Sequence, residues 1–201
     1  MKKIMFNDRF GLTDAVLQGR KTMTRRIARF DETERPCQKG RDKCLYCQHY
    51  DRENGCTWLL DYSPYKVGEV VAVAQAGKEI YNQLQQRYGN TSDAALGFME
   101  MYKGLAMWRN KMFVPADLCP NKICITDIKV ERLQYITEYD AHKEGICYYN
   151  IGIDVGFTTL GLRRRYGSAR SAFAALIDKI SGKGTWERNP YVFAYTFELL
   201  K

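Results

Sequence analysis

The closing stretch of the chain, Tyr191 to Leu199, carries Phe193, Tyr195, Phe197 and Leu199 at every second position. Side chains alternate across a strand, so these four share one face, and the pattern predicts a half-buried β-strand. Such a strand needs partners in a sheet and a second layer over its apolar face. The clearest candidate for that layer lies just before it. Phe173, Leu176, Ile177 and Ile180 follow the spacing i, i+3, i+4, i+7, which predicts a helix with one apolar stripe. Ser168 suits its N-terminal cap and Gly182 its end.

The rest of the chain alternates between the same two kinds of element. Strands are predicted at Ile4–Phe6, Lys21–Ile27, Val67–Ala74 and Ile123–Leu133. Helices are predicted at Leu12–Gln18, over 78–109 with a break near Gly89-Asn90-Thr91, and at Thr137–Glu144. Thr13 or Asp14 can cap the first helix, and Gly19 and Gly145 suit helix ends. No internal repeat or low-complexity segment interrupts this order. The fold class expected is therefore α+β, a small mixed β-barrel or sheet decorated by helices, in one domain spanning residues 1–201.

No apolar run approaches the ~20 residues that a membrane span needs. Met1 to Asp8 turns polar too early for a secretory signal. The expectation is a soluble, cytoplasmic protein. Lys and Arg number 31 against 23 Asp and Glu, a formal charge of +8 that favours an anionic partner such as nucleic acid.

Residues 30–64 are polar and lack a helical or strand period. Four of the seven cysteines fall there, as Cys37-x6-Cys44-x2-Cys47-x8-Cys56. Disulfides are not expected in a reducing compartment. Four thiolates are enough for a closed, structural zinc site, and His49 can replace one of them. The alternative is four free cysteines in a loop. The other three, Cys119, Cys124 and Cys147, sit among apolar neighbours and are expected to be buried.

The segment Gly19-Arg20-Lys21-Thr22-Met23-Thr24-Arg25-Arg26 carries most of the chemistry. A lysine beside a hydroxyl is a possible base and nucleophile, because burial lowers the proton affinity of an ammonium. In an ideal strand Lys21 and Thr24 point to opposite faces, so they converge only if the strand start is twisted or bulged. The plain alternative is a basic strand edge that binds phosphates or nothing.

That segment, placed after a short helix, resembles the signature of the ASCH domain, a family of the PUA-like superfamily. Tyr65–Val71 resembles the turn and strand that follow, Leu133–Gly145 the family's strand and acidic helix, and Trp186–Phe193 its closing strand. The resemblance covers about half of the chain. It implies a PUA-type barrel with a nucleic-acid or nucleoside cleft. One branch of the family hydrolyses N4-acetylcytidine with a lysine, a threonine and a glutamate, which match Lys21, Thr24 and Glu144. The chain departs from compact members of that branch by insertions at about 30–64, 76–120 and 146–167.

RNA or a modified nucleoside is the partner expected, with Arg20, Arg25, Arg26, Trp186 and Arg188 as candidate contacts through phosphates and stacked bases. Arg29, the run Arg163-Arg164-Arg165 and Lys183 add to the basic surface. Asn7 and Gln75 are candidates to line the cleft. A non-catalytic RNA- or protein-interaction module, with the zinc loop as its contact, is the alternative.

Overall fold

The computed structural model describes residues 1–29, 50–51, 55–89, 92–151, 154–162 and 164–200. Nine strands are described: β1 (Lys3–Ile4), β2 (Met23–Ile27), β3 (Tyr50–Asp51), β4 (Gly55–Cys56), β5 (Val70–Val73), β6 (Lys122–Arg132), β7 (Cys147–Ile151), β8 (Asp154–Thr158) and β9 (Tyr191–Leu200). Seven α-helices accompany them: α1 (Leu12–Leu17), α2 (Gly77–Tyr88), α3 (Asp93–Tyr102), α4 (Ala106–Arg109), α5 (Glu138–Lys143), α6 (Ala169–Ser181) and α7 (Thr185–Arg188).

The α+β class holds. The main sheet has the order β1-β5-β6-β9-β2, with β1 parallel to β5 and the other pairs antiparallel. Its closing strand buries Phe193, Tyr195 and Phe197 as the alternation predicts, but Val192 and Ala194 on the other face are buried too and Leu199 is half-buried. β6 solves a parity problem. Ile123 and Ile125 are odd-numbered core residues, whereas Ile128 and Val130 are even. A register shift between Ile125 and Asp127 absorbs one residue and keeps both pairs facing inward.

A closed barrel is not formed among the described residues. β1 and β2 are the outer strands, and no ladder joins them. β1 has only two residues, so its pairing with β5 ends at Ile4. Beyond it, Met5 and Phe6 face β2 across a cleft. The Arg26 side chain donates to the Met5 carbonyl there, where a ladder bond would otherwise run.

Helix α6 covers the sheet with Ala169, Ala172, Phe173, Leu176 and Ile177, and α1 and α5 add Leu12, Val16 and Ala141 to the same core. Ser168 caps α6 by accepting from the Ser171 N–H at 3.1 Å. The Glu138 carboxylate also accepts from the Ala169 N–H at 2.8 Å, tying α5 to the start of α6. Ile180, the last residue of the predicted stripe, is 38% exposed and lies at the cleft. α1 starts at Leu12 as predicted, but Gly11 rather than Thr13 or Asp14 is its cap residue and no side chain caps it; β1 spans Lys3–Ile4 rather than Ile4–Phe6, and β2 starts at Met23 rather than Lys21.

The segments read as insertions form structure of their own. Residues 76–120 hold α2 to α4 around a second cluster of Ala72, Ile80, Met107, Val114 and Cys119. Residues 146–167 hold the β7–β8 hairpin. Cys119 is buried as expected, whereas Cys124 and Cys147 are half-buried. Among the described residues no helix is long and apolar enough to cross a membrane.

Candidate active site

α1 ends at Leu17, and Gly19 takes a left-handed backbone (φ 72°) that turns the chain back. The Lys21 N–H then donates to the Ala15 carbonyl at 2.9 Å, and the Thr22 N–H to the Lys143 carbonyl at 3.0 Å. These bonds dock the segment against the C-terminal end of α5. There Glu144 caps the helix and Gly145 leaves it with φ 98°. The approach is close: a Cβ on Gly145 would touch the side chains of Leu12, Ala15 and Lys21 at 3.5–3.7 Å.

Two residues 123 positions apart thus meet. Lys21 Nζ donates to Glu144 Oε2 at 2.6 Å and to the Glu144 carbonyl at 2.8 Å. The side chains are 1% and 5% exposed. Burial pushes the Lys21 pKa below its ordinary 10.5. The Glu144 carboxylate pulls the other way without cancelling the shift, and Arg26 and Arg25 add to the lowering.

Arg25 holds the other side of Glu144. Its Nη1 donates to Glu144 Oε1 at 3.3 Å, its Nη2 to Asp140 Oδ2 at 3.1 Å, and its Nε and Nη2 to Glu131 Oε1 at 2.9 and 2.7 Å. Burial disfavours the guanidinium charge. Glu144 foremost, then Glu131 and Asp140, outweigh it and hold the Arg25 pKa above its ordinary value. Three carboxylates therefore enclose this arginine, which is a different setting from the phosphate contact expected of it.

The parity obstacle between Lys21 and Thr24 does not arise, because Lys21 precedes the strand. Thr24 lies in β2 opposite Tyr195. Its side chain is nearly buried, and among the described residues no hydrogen bond engages its hydroxyl. Lys21, Thr24 and Glu144 all line one cleft of about 840 Å³, together with Phe6, Arg26 and Tyr65. It opens in the gap between β1 and β2.

Comparison with known proteins leaves the site to be read from its own chemistry: no family model, no curated protein and no solved structure matched the chain significantly.

The remaining predicted residues divide between several places. Arg26 lines the cleft with its guanidinium 5.7 Å from the Phe6 ring centre. Asn7 lines it too, while its side chain accepts from the Arg9 N–H at 3.0 Å. Gln75 is buried elsewhere and accepts from Asn121 at 2.7 Å. Trp186 packs edge-on to Phe173 at 6.4 Å, under the Arg170 guanidinium at 5.2 Å. Arg188 donates to the Lys183 carbonyl at 3.3 Å and to Thr185 Oγ1 at 2.9 Å. Neither Trp186 nor Arg188 lines the cleft. Arg20 lines a second cleft of about 940 Å³, with Arg164 and Arg165. That second cleft is larger, but it lacks a buried pair like Lys21 and Glu144.

The candidate zinc ligands Cys37, Cys44 and Cys47, with His49 and Arg163, lie outside the described residues. Of Cys56 only the backbone is described, paired in β4 with Tyr50. Among the described residues no group of His, Cys, Asp and Glu could hold a metal.

Sequence reasoning missed Glu131 and Asp140 as partners of Arg25. Glu131 carried no distinguishing signal, because β6 also holds Asp127, Lys129 and Arg132 among its polar positions. Sequence reasoning also missed the buried tyrosine paired with Thr24 across the sheet. Tyr195 contacts the cleft-lining Tyr65 edge-on at 5.4 Å and shares a 2.8 Å hydrogen bond with Ser63. Burial pushes the Tyr195 phenol up to about 12.

Proposed function

We propose that this cleft binds a modified nucleobase and that Lys21, Thr24 and Glu144 hydrolyse the amide of an N4-acylated cytidine or a closely related acylated base, on an ASCH-type, PUA-like scaffold whose sheet is left open. The observation that carries this reading is the buried Lys21–Glu144 pair, at 2.6 Å, lining the same cleft as a threonine hydroxyl that no hydrogen bond engages among the described residues. An amine that burial has made easier to deprotonate is suited to general-base work. A cleft of about 840 Å³ lies within the usual range for small-molecule sites, and Phe6 and Tyr65 supply apolar surface for a base.

The chemistry runs in two halves. Thr24 Oγ attacks the acyl carbonyl carbon while neutral Lys21 Nζ takes the hydroxyl proton. The C–N bond breaks, and Lys21 returns the proton to the departing exocyclic amine, leaving an acyl ester on Thr24. Water then attacks that ester, again giving its proton through Lys21. The products are the carboxylic acid and the free hydroxyl. Glu144 keeps the Lys21 amine aimed, and Arg25 keeps Glu144 in place.

The test is acetate release from N4-acetylcytidine by the purified protein. Release that disappears in Thr24→Val and Lys21→Met, with folding intact, supports the scheme. No release by the wild type overturns it. The alternative, binding without turnover, is favoured by one observation: Lys21 Nζ is already held by two acceptors of Glu144. That reading predicts nucleoside affinity without product. The four-cysteine set Cys37, Cys44, Cys47 and Cys56 is proposed as a separate structural zinc site, tested by metal analysis under reducing conditions.

A further inference from the structure

We infer that the second cleft, beside Arg20, is a phosphate-binding groove for a single-stranded polynucleotide, so that the first cleft can also receive a base carried on a strand. The inference extends the function proposed above and rests on it only for where the base goes.

The second cleft is built by the β7–β8 hairpin and the segment after it, packed across α1. Arg20, Arg164 and Arg165 line it against a single acid, Asp14. Its cations differ from Lys21 and Arg25 of the first cleft. Among the described residues no carboxylate pairs with Arg20 or Arg164. Arg20 donates from Nε to Gln18 at 3.0 Å and from Nη1 to the Cys147 thiol at 3.3 Å, and its Nη2 has no hydrogen bond among the described residues. Arg164 is exposed and makes no side-chain hydrogen bond among the described residues. Three guanidinium groups against one acid leave the described lining of this cleft with a surplus of positive charge, which favours an anion.

The groove also offers a stacking surface. Tyr149 is 44% exposed and lies 5.7 Å from the Arg165 guanidinium. Cationic groups alternating with an exposed aromatic ring suit a strand, whose phosphates and bases alternate in the same way. The two clefts are neighbours on either side of α1. Arg20 and Lys21 are consecutive residues, and each lines a different cleft. α1 stands between them, giving Leu12 to the first and Asp14 to the second.

The experiment uses a fluorescently labelled single-stranded oligoribonucleotide of about ten nucleotides with no acylated base, so its result does not depend on the hydrolase reading. Affinity is measured from low to moderate salt for the wild type, Arg20→Glu, Arg164→Glu and the control Lys78→Glu, an exposed lysine that lines neither cleft. Expected is a loss of affinity of about tenfold or more in each arginine variant and less than twofold in the control. Arg164→Glu is also expected to flatten the dependence of log affinity on log salt by about 0.7 for each phosphate that the variant leaves unneutralised. Unchanged affinity in both arginine variants, an equal loss in the control, or no binding by the wild type overturns the inference. If acetylcytidine is not hydrolysed while the arginine-dependent affinity stands, the function proposed above fails alone.

Discussion

Arg20 and Arg25 lie in the same short segment and face opposite circumstances. Arg25 is buried and enclosed by Glu131, Asp140 and Glu144. Arg20 is exposed, and no carboxylate answers it among the described residues. In the first cleft Lys21, Arg25 and Glu144 thus satisfy one another, whereas in the second Arg20 and Arg164 have no carboxylate partner among the described residues. Removing a charge from water is expensive unless a neighbour and hydrogen bonds replace the solvent. Charges in the first cleft are therefore locked in position, which is what aiming an amine requires. Those in the second retain their water and can exchange it for an anion.

The sharpest way to break this contrast is through turnover. Lys21→Ala is expected to lower acetate release from N4-acetylcytidine by about 10²–10⁴-fold, the usual worth of a positioned base. Undiminished release removes Lys21 from the chemistry. Next in size is stability. Glu144→Gln deprives two buried cations of a shared carboxylate and is expected to cost about 3–5 kcal/mol in denaturant unfolding. A wild-type midpoint would mean that the pairs in the first cleft do not hold the fold.

Acidity sharpens the same contrast. The reaction requires the neutral Lys21 amine, so its limb of the pH–rate profile rises with pH and has its midpoint below 10.5. Stability follows the same direction: between the lowered folded value and 10.5 the unfolded chain binds the extra proton, so rising pH favours the folded state. Tyr195 acts oppositely. Its phenol is pushed from 10.0 to about 12, so the folded state keeps that proton longer. Its contribution is present below pH 10 and is lost as pH rises toward 12. Urea midpoints across pH for the wild type and Tyr195→Phe separate the two.

Smaller effects are expected in the second cleft. Gly161 has φ 81°, and a Cβ there would press on the Arg9 carbonyl and on Phe10 Cδ1 at 3.0 Å. Gly161→Ala is expected to destabilise by about 1–3 kcal/mol in thermal or urea unfolding. Arg164→Ala is expected to leave stability within about 0.5 kcal/mol, because the side chain is exposed and unpaired among the described residues. A large loss there would show that the arginines of the second cleft are structural after all.

Much of the scaffold was legible from periodicity. The alternation in β9, the stripe on α6 and the glycines after α1 and α5 each encode a local geometry, and the structure contains each of them. Less legible were features that depend on counting across a gap. The bulge in β6 shows only as a change from odd to even apolar positions, and the open edge between β1 and β2 follows from how soon β1 ends. The sequence by itself determined the α+β class, the elements and the residue types available for chemistry, because hydrophobic period and backbone preference act over a few neighbouring residues. Tertiary structure alone decided that Lys21 meets Glu144, that carboxylates enclose Arg25 while Arg20 faces an open cleft, and that Trp186 supports the core. Those outcomes depend on which distant groups share a low-dielectric space, and no local pattern records that.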